Sequence, residues 1–69
     1  MDSTALTQLA RATVLDYLAQ FPGKAPGRAF AQYAARAHGI SHGQLRHFYA
    51  AIRAASTEAL AGDATRGGN

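Results

Sequence analysis

The chain of 69 residues contains no cysteine and no long apolar run. Without cysteine it can form neither a disulfide framework nor a thiolate metal site. A transmembrane helix needs about 20 consecutive apolar residues, so we expect none here. The first residues carry Asp2 where a signal peptide would be positively charged, and no long apolar core follows. We therefore expect a cytoplasmic protein with one domain at most, small enough that pairing with a second copy would help its stability.

Carboxylates are missing from the middle of the chain, where no Asp or Glu occurs between Tyr17 and Thr57. The cationic residues of that stretch are Lys24, Arg28, Arg36, Arg46 and Arg53, and its histidines are His38, His42 and His47. The acids all lie outside it, at Asp2, Asp16, Glu58 and Asp63. A segment with charge of one sign is typical of a protein that binds a polyanion. A merely solvated basic surface is the alternative.

Residues with high strand propensity are also few, while alanine is abundant, which favours helix throughout the chain. No segment alternates with period two, and apolar residues recur instead at helical spacing. We predict an all-α, three-helix domain over residues 1–61, followed by a disordered tail over 62–69. The predicted helices span about 4–20, 26–38 and 41–61, with Pro26 at the first position of the second helix.

Each predicted helix has a candidate buried face. In the first helix it comprises Leu6, Leu9, Thr13, Tyr17 and Gln20, with Ala10, Val14, Leu18 and Phe21 beside them. In the second it comprises Phe30, Ala34 and Ala37, with Tyr33 at the edge, and in the third Leu45, Phe48, Ile52 and Ala55. Leu15 lies off these faces, and we expect it to cover a partner.

The connection between the second and third helices has the features of a helix-turn-helix motif. Two helices that cross closely need a small residue at the contact, here Ala35, and a tight turn with positive φ, here Gly39. An apolar residue follows at Ile40, and Leu45 and Phe48 supply the inner face of the next helix. The run from Ser41 to Gln44 fits a capping box, with serine as N-cap and glutamine three residues later.

The segment Gly39-Ile40-Ser41-His42-Gly43-Gln44-Leu45-Arg46 resembles the helix-turn-helix of Fis-type nucleoid proteins and of the C-terminal domain of NtrC-type activators. The matching residues are Gly39, Ile40, Gly43, Leu45 and Arg46, preceded by the alanine pair Ala34-Ala35. The resemblance covers about 20 residues of the chain. It implies a homodimer that presents two recognition helices to successive major grooves of DNA and a nucleoid-associated location.

The resemblance, with the spacing of the exposed residues, suggests roles for individual side chains. The candidate base-reading residues are Ser41, His42, Gln44, Arg46 and His47. The candidate phosphate-binding residues are Lys24, Arg28, Arg36, Gly43, Tyr49 and Arg53. Glutamine and arginine can read adenine and guanine by paired hydrogen bonds. Histidine stands where these families have arginine and lysine, and because it is mostly neutral at pH 7, we expect weaker or more pH-dependent binding than in those families.

We therefore expect a double-stranded-DNA-binding protein that regulates transcription or organises DNA, with residues 41–55 as its recognition helix. The main alternative is a protein-binding module of the phage or plasmid inhibitor or adaptor kind, in which Leu15 and Tyr49 are anchors. We expect no metal, because the histidines lack a nearby carboxylate, and no cofactor. Catalysis is not expected, since Ser41 is better explained as an N-cap than as a nucleophile. Attachment to a membrane surface is also disfavoured by the modest apolar mass of the third helix.

Overall fold

A computed structural model describes residues 1–67 of the chain and the side chains of residues 1–62. It contains three α-helices: α1 (Ser3–Gln20), α2 (Arg28–Ala37) and α3 (Leu45–Gly67), with one 3₁₀ turn, His42–Gln44, before α3. No strand occurs in residues 1–67, so the predicted all-α, three-helix class is confirmed. The expected homodimer stays a prediction. None of the described helices is long and apolar enough to cross a membrane.

Helix α1 begins one residue before its predicted start and ends at its predicted end. The Asp2 side chain caps its first turn, since Oδ1 accepts a 2.7 Å hydrogen bond from the Ala5 N–H. The last helical residue is Gln20, and Phe21 leaves the helical conformation directly before Pro22. Gly23 then turns the chain with a φ of 79°, a conformation that glycine adopts without strain.

The core lies mainly between α1 and α3, which make the most extensive helix contact. Its largest fully buried side chains are Leu6 and Val14 from α1 and Phe48 from α3. Thr13 is buried among them. Its hydroxyl donates to the Leu9 carbonyl at 2.8 Å, so this buried polar group has a hydrogen-bond partner. The predicted buried faces of these two helices are largely confirmed, although Gln20 and Phe21 are exposed.

Helix α2 departs from the sequence prediction in its start and in its buried face. It begins at Arg28 with Gly27 as N-cap, so the prediction of Pro26 as the first helical residue was wrong. At the start of the helix the Ala31 N–H donates to the Gly27 carbonyl at 3.1 Å, so Pro26 lies in the connector. The buried residues are small, Ala31, Ala34 and Ala35. Of the predicted set, Ala34 is buried, Phe30 is half-buried and packs on Tyr17 with ring centroids 4.6 Å apart, and Ala37 is exposed.

The turn between α2 and α3 confirms the predicted helix stop. Gly39 has a φ of 65°, and two backbone bonds close the end of α2 around it. The Ile40 N–H donates to the Ala35 carbonyl at 2.9 Å, and the Gly39 N–H donates to the Arg36 carbonyl at 3.2 Å. This pair is the Schellman arrangement of a helix C-terminus. It brings the half-buried Ile40 onto the core.

Both ends of the third helix differ from the prediction. The chain after Ser41 forms the 3₁₀ turn first, and α3 proper begins at Leu45 instead of Ser41. Its described end is Gly67, beyond the predicted end at Ala61. Gly62 does not adopt positive φ, and a helix that has already formed can pass one glycine at a cost of about 1 kcal/mol. Of the predicted tail over 62–69, residues 68 and 69 lie outside the described part of the chain.

Candidate nucleic-acid interface

An open groove with a volume of about 750 Å³ lies between the start of α2 and one side of α3. Its cationic and polar lining includes Arg28 from α2, His42 from the 3₁₀ turn, and Arg46, Tyr49 and Arg53 from α3. Their spacing in the sequence, at intervals of four, three and four, predicts that His42, Arg46, Tyr49 and Arg53 share one side of the third helix. The structure confirms the shared side, because all four line the same groove, although His42 belongs to the 3₁₀ turn before α3.

The positive charge along this groove is not balanced by a carboxylate from the side chains of residues 1–62. None of the lining residues in that range is Asp or Glu. Among the side chains of residues 1–62, the one ion pair is Arg11 to Glu58, at 3.8 Å, and it joins α1 to the opposite side of α3. Arg28, Arg46 and Arg53 are exposed and have no ion-pair partner within that part of the chain. Their charge is available to an external anion.

His47 lies apart from the other candidate base readers. It lines a smaller groove of about 270 Å³ between α1 and α3, together with Arg11 and Glu58. Ala50 lines both grooves and therefore marks the exposed ridge of α3 that separates them. His42 and Arg46 lie on one side of this ridge, and His47 lies on the other.

Ser41 and Gln44 are engaged within the protein. Gln44 is half-buried, and its side-chain amide donates to the backbone carbonyl of Met1. The Ser41 hydroxyl donates to Gln44 Oε1 at 3.2 Å, while the Gln44 N–H donates to the Ser41 carbonyl at 2.9 Å. Ser41 occupies the N-cap position of the 3₁₀ turn as predicted, but the predicted capping box was wrong, because the Ser41 side chain does not cap the backbone. To reach a base, either side chain would have to release these contacts.

The remaining candidate phosphate-binding residues are exposed but do not line the groove. Lys24 lies in the connector between α1 and α2, Arg36 lies in the last turn of α2, and Gly43 lies in the 3₁₀ turn. A Cβ atom added to Gly43 would meet nothing within 4 Å. Packing inside the chain therefore does not require glycine at this position.

Sequence reasoning missed the apolar floor of the groove. Beneath the arginines the lining includes Pro26, Ala31, Leu45, Ile52 and Leu60. The one available signal was the spacing of Leu60, eight residues after Ile52, which continues the apolar face of α3. Reasoning from helix spacing also missed the pairing of Arg11 with Glu58 and of Gln44 with Met1, because both pairs join residues far apart in the sequence.

The three histidines, His38, His42 and His47, do not form a cluster. Among the described residues, no group of three or more His, Cys, Asp or Glu side chains is arranged to hold a metal ion. No family model matches the chain, and no match was found among curated proteins or solved structures.

Proposed function

We propose that this protein binds double-stranded DNA through the exposed side of α3, with the start of α2 beside it. The supporting observation is the convergence of Arg28, Arg46 and Arg53 on one face that has no carboxylate in its lining and no internal ion-pair partner for these arginines among residues 1–62. Duplex DNA presents closely spaced phosphates, and neutralising them releases counterions, which favours binding. A cationic face of this kind matches that chemistry.

The shape of α3 supports insertion into the major groove. This groove of B-DNA is about 12 Å wide and accepts a single α-helix. The exposed ridge of α3 carries the small residues Ala50 and Ala54, so its backbone can approach a surface closely. In the proposed complex Arg46 reads a base, while Arg28 and Arg53 contact phosphates on either side, with Lys24 and Arg36 as further phosphate contacts.

We further propose that two copies bind together, so that their recognition helices reach successive major grooves. This arrangement suits a transcription regulator or a DNA-organising protein of the nucleoid. Leu15, which is 53% exposed on α1, is the candidate dimer contact. Sedimentation of the chain with and without Leu15→Lys tests this part of the proposal, which predicts a dimer that the substitution converts to a monomer.

A salt series with random-sequence duplex DNA tests the main proposal. We expect the logarithm of the binding constant to fall linearly with the logarithm of salt concentration, and Arg53→Gln to reduce the slope by about 0.9. Arg11→Gln is the matched control, because it removes the same charge from α1, outside the groove. Absence of binding at about 50 mM salt, or equal effects of the two variants, would contradict the proposal.

A second experiment separates base reading from phosphate binding. After a preferred site has been selected from a random duplex library, Arg46→Ala should abolish the preference, since a base contact contributes about 1–3 kcal/mol of discrimination. Lys24→Ala should weaken binding to all sequences alike, because a phosphate contact carries no sequence information. Equal loss of preference in both variants would refute this division of roles.

A further inference from the structure

The apolar floor of the groove has no use in the proposed contact with DNA. Phosphates and base edges bind arginine side chains, whereas Leu45 and Leu60 offer hydrocarbon surface. Leu45 and Leu60 are only partly buried in the described structure, and so is Tyr49 beside them. Covering such surface releases free energy of about 25 cal/mol per Å² of apolar area. An occupant with apolar side chains would gain this free energy of burial, whereas DNA would not.

The dimensions of the groove fit an α-helix. Its lining follows α3 from Leu45 to Leu60, and a helix rises 1.5 Å per residue, so the groove is about 22 Å long. The opposite wall is formed by residues 25–28 and Ala31. A helix of about four turns matches this length, and helices of this size commonly bind grooves through apolar residues at positions i, i+3, i+4 and i+7.

The charge around the floor determines which kind of helix can bind. Arg28 lies on one wall and Arg46 and Arg53 lie on the other. Among the side chains of residues 1–62, no carboxylate lines the space between them. A helix with acidic residues flanking its apolar stripe would pair with these arginines. A second copy of this chain is a poor occupant, because its net charge is +3 and one of its few acids, Asp2, already caps α1.

We infer that the groove binds an acidic amphipathic helix of a partner protein. The apolar stripe of that helix covers Leu45, Tyr49 and Leu60, and its carboxylates pair with the arginines of the rim. Because Arg46 and Arg53 are also the proposed DNA contacts, the acidic helix and DNA compete for the same face. The acidic partner therefore acts as an inhibitor of DNA binding. The docking itself does not depend on whether the protein binds DNA.

The test uses the full chain and a synthetic peptide of about 16 residues, with leucines at i, i+3, i+4 and i+7 spacing and glutamates on either side. A control peptide has the same composition in an order that scatters the leucines around the helix. In amide NMR spectra we expect the first peptide to shift residues that line the groove, and to bind at least about tenfold more tightly than the shuffled peptide. Equal affinity of the two peptides, or shifts confined to another face, would overturn the inference.

Two substitutions link the binding to the floor. Leu60→Ala should weaken peptide binding about tenfold and leave the salt slope of DNA binding unchanged, because Leu60 offers hydrocarbon only. Tyr33→Ala is the control, since it removes a large exposed side chain from α2 outside the groove. Should Leu60→Ala fail to fold, Thr57→Glu replaces it, because Thr57 is exposed on the groove and a new carboxylate there repels the acidic peptide.

Competition completes the test. Adding the acidic peptide to a complex of the protein with duplex DNA should release the DNA. If the peptide binds in the groove but the protein shows no affinity for DNA, the docking inference stands and the proposed function fails. If DNA binds and the peptide does not bind at about 1 mM, a concentration that would detect even weak association, the docking inference fails alone.

Discussion

The two faces of α3 differ in almost every property. The inner face presents Phe48 and Ile52, which are almost fully buried against α1 and α2. The outer face presents Arg46, Ala50 and Arg53, which are all exposed. One helix thus joins the core to the candidate binding surface, and the stability of the fold and its proposed function depend on different residues of the same segment.

This difference implies that the outer face can change without loss of the fold. Surface substitutions away from caps and core usually alter stability by less than about 0.5 kcal/mol. Truncation in a core costs several times more, because it removes buried apolar area and leaves a cavity. The separation can be tested by substitutions on each face and at the turn that orients the helix.

The largest effect is expected for Phe48→Ala. Removing this fully buried ring should lower the free energy of unfolding by about 3–5 kcal/mol. A domain this small has a total stability of only about 0.05–0.15 kcal/mol per residue, so the variant should be largely unfolded. Urea denaturation followed by circular dichroism measures the change. Arg53→Ala on the outer face is the control, and a comparable loss in that variant would break the distinction between the faces.

A smaller effect is expected for Gly39→Ala, which changes the turn that orients the inner and outer faces of α3. Its φ of 65° is left-handed, so an alanine there should cost about 1–2 kcal/mol even though nothing blocks the added Cβ. Gly43→Ala is the control, because an added Cβ meets equally open space at Gly43 but the φ of Gly43 is not positive. It should leave stability unchanged or raise it by up to about 1 kcal/mol. Thermal unfolding of the two variants tests this opposite behaviour.

The smallest effect is expected for Ser56→Ala, although Ser56 lies on the inner face. Its buried hydroxyl donates to the Ile52 carbonyl at 2.7 Å, so the side chain bonds to its own helix and not to a neighbouring one. Losing that bond is offset by the higher helix propensity of alanine, and we expect a change within about 0.5 kcal/mol. A loss above about 2 kcal/mol in urea denaturation would mean that Ser56 contributes to packing between helices.

Local signals in the sequence predicted the helices and the turn between α2 and α3. The cap at Asp2 was not predicted, although the predicted start of the first helix, at about residue 4, lies one residue from the observed start at Ser3. Helical spacing identified the buried stripe of α3 and the shared side of Arg46, Tyr49 and Arg53, because both depend only on the geometry of one helix. The start of α2 was misjudged, since Pro26 and Gly27 are both common at a helix N-terminus.

By itself the sequence determined the all-α class, the left-handed turn at Gly39 and the basic, acid-free stretch that contains Arg28, Arg46 and Arg53. These follow from propensity, backbone sterics and charge, which act over a few residues. The tertiary structure decided that Arg28 lies across an apolar-floored groove from Arg46 and Arg53, that His47 lies on the other side of the ridge, and that Gln44 bonds to Met1. Such outcomes depend on how whole helices pack against each other, because packing alone brings residues distant in the chain into contact.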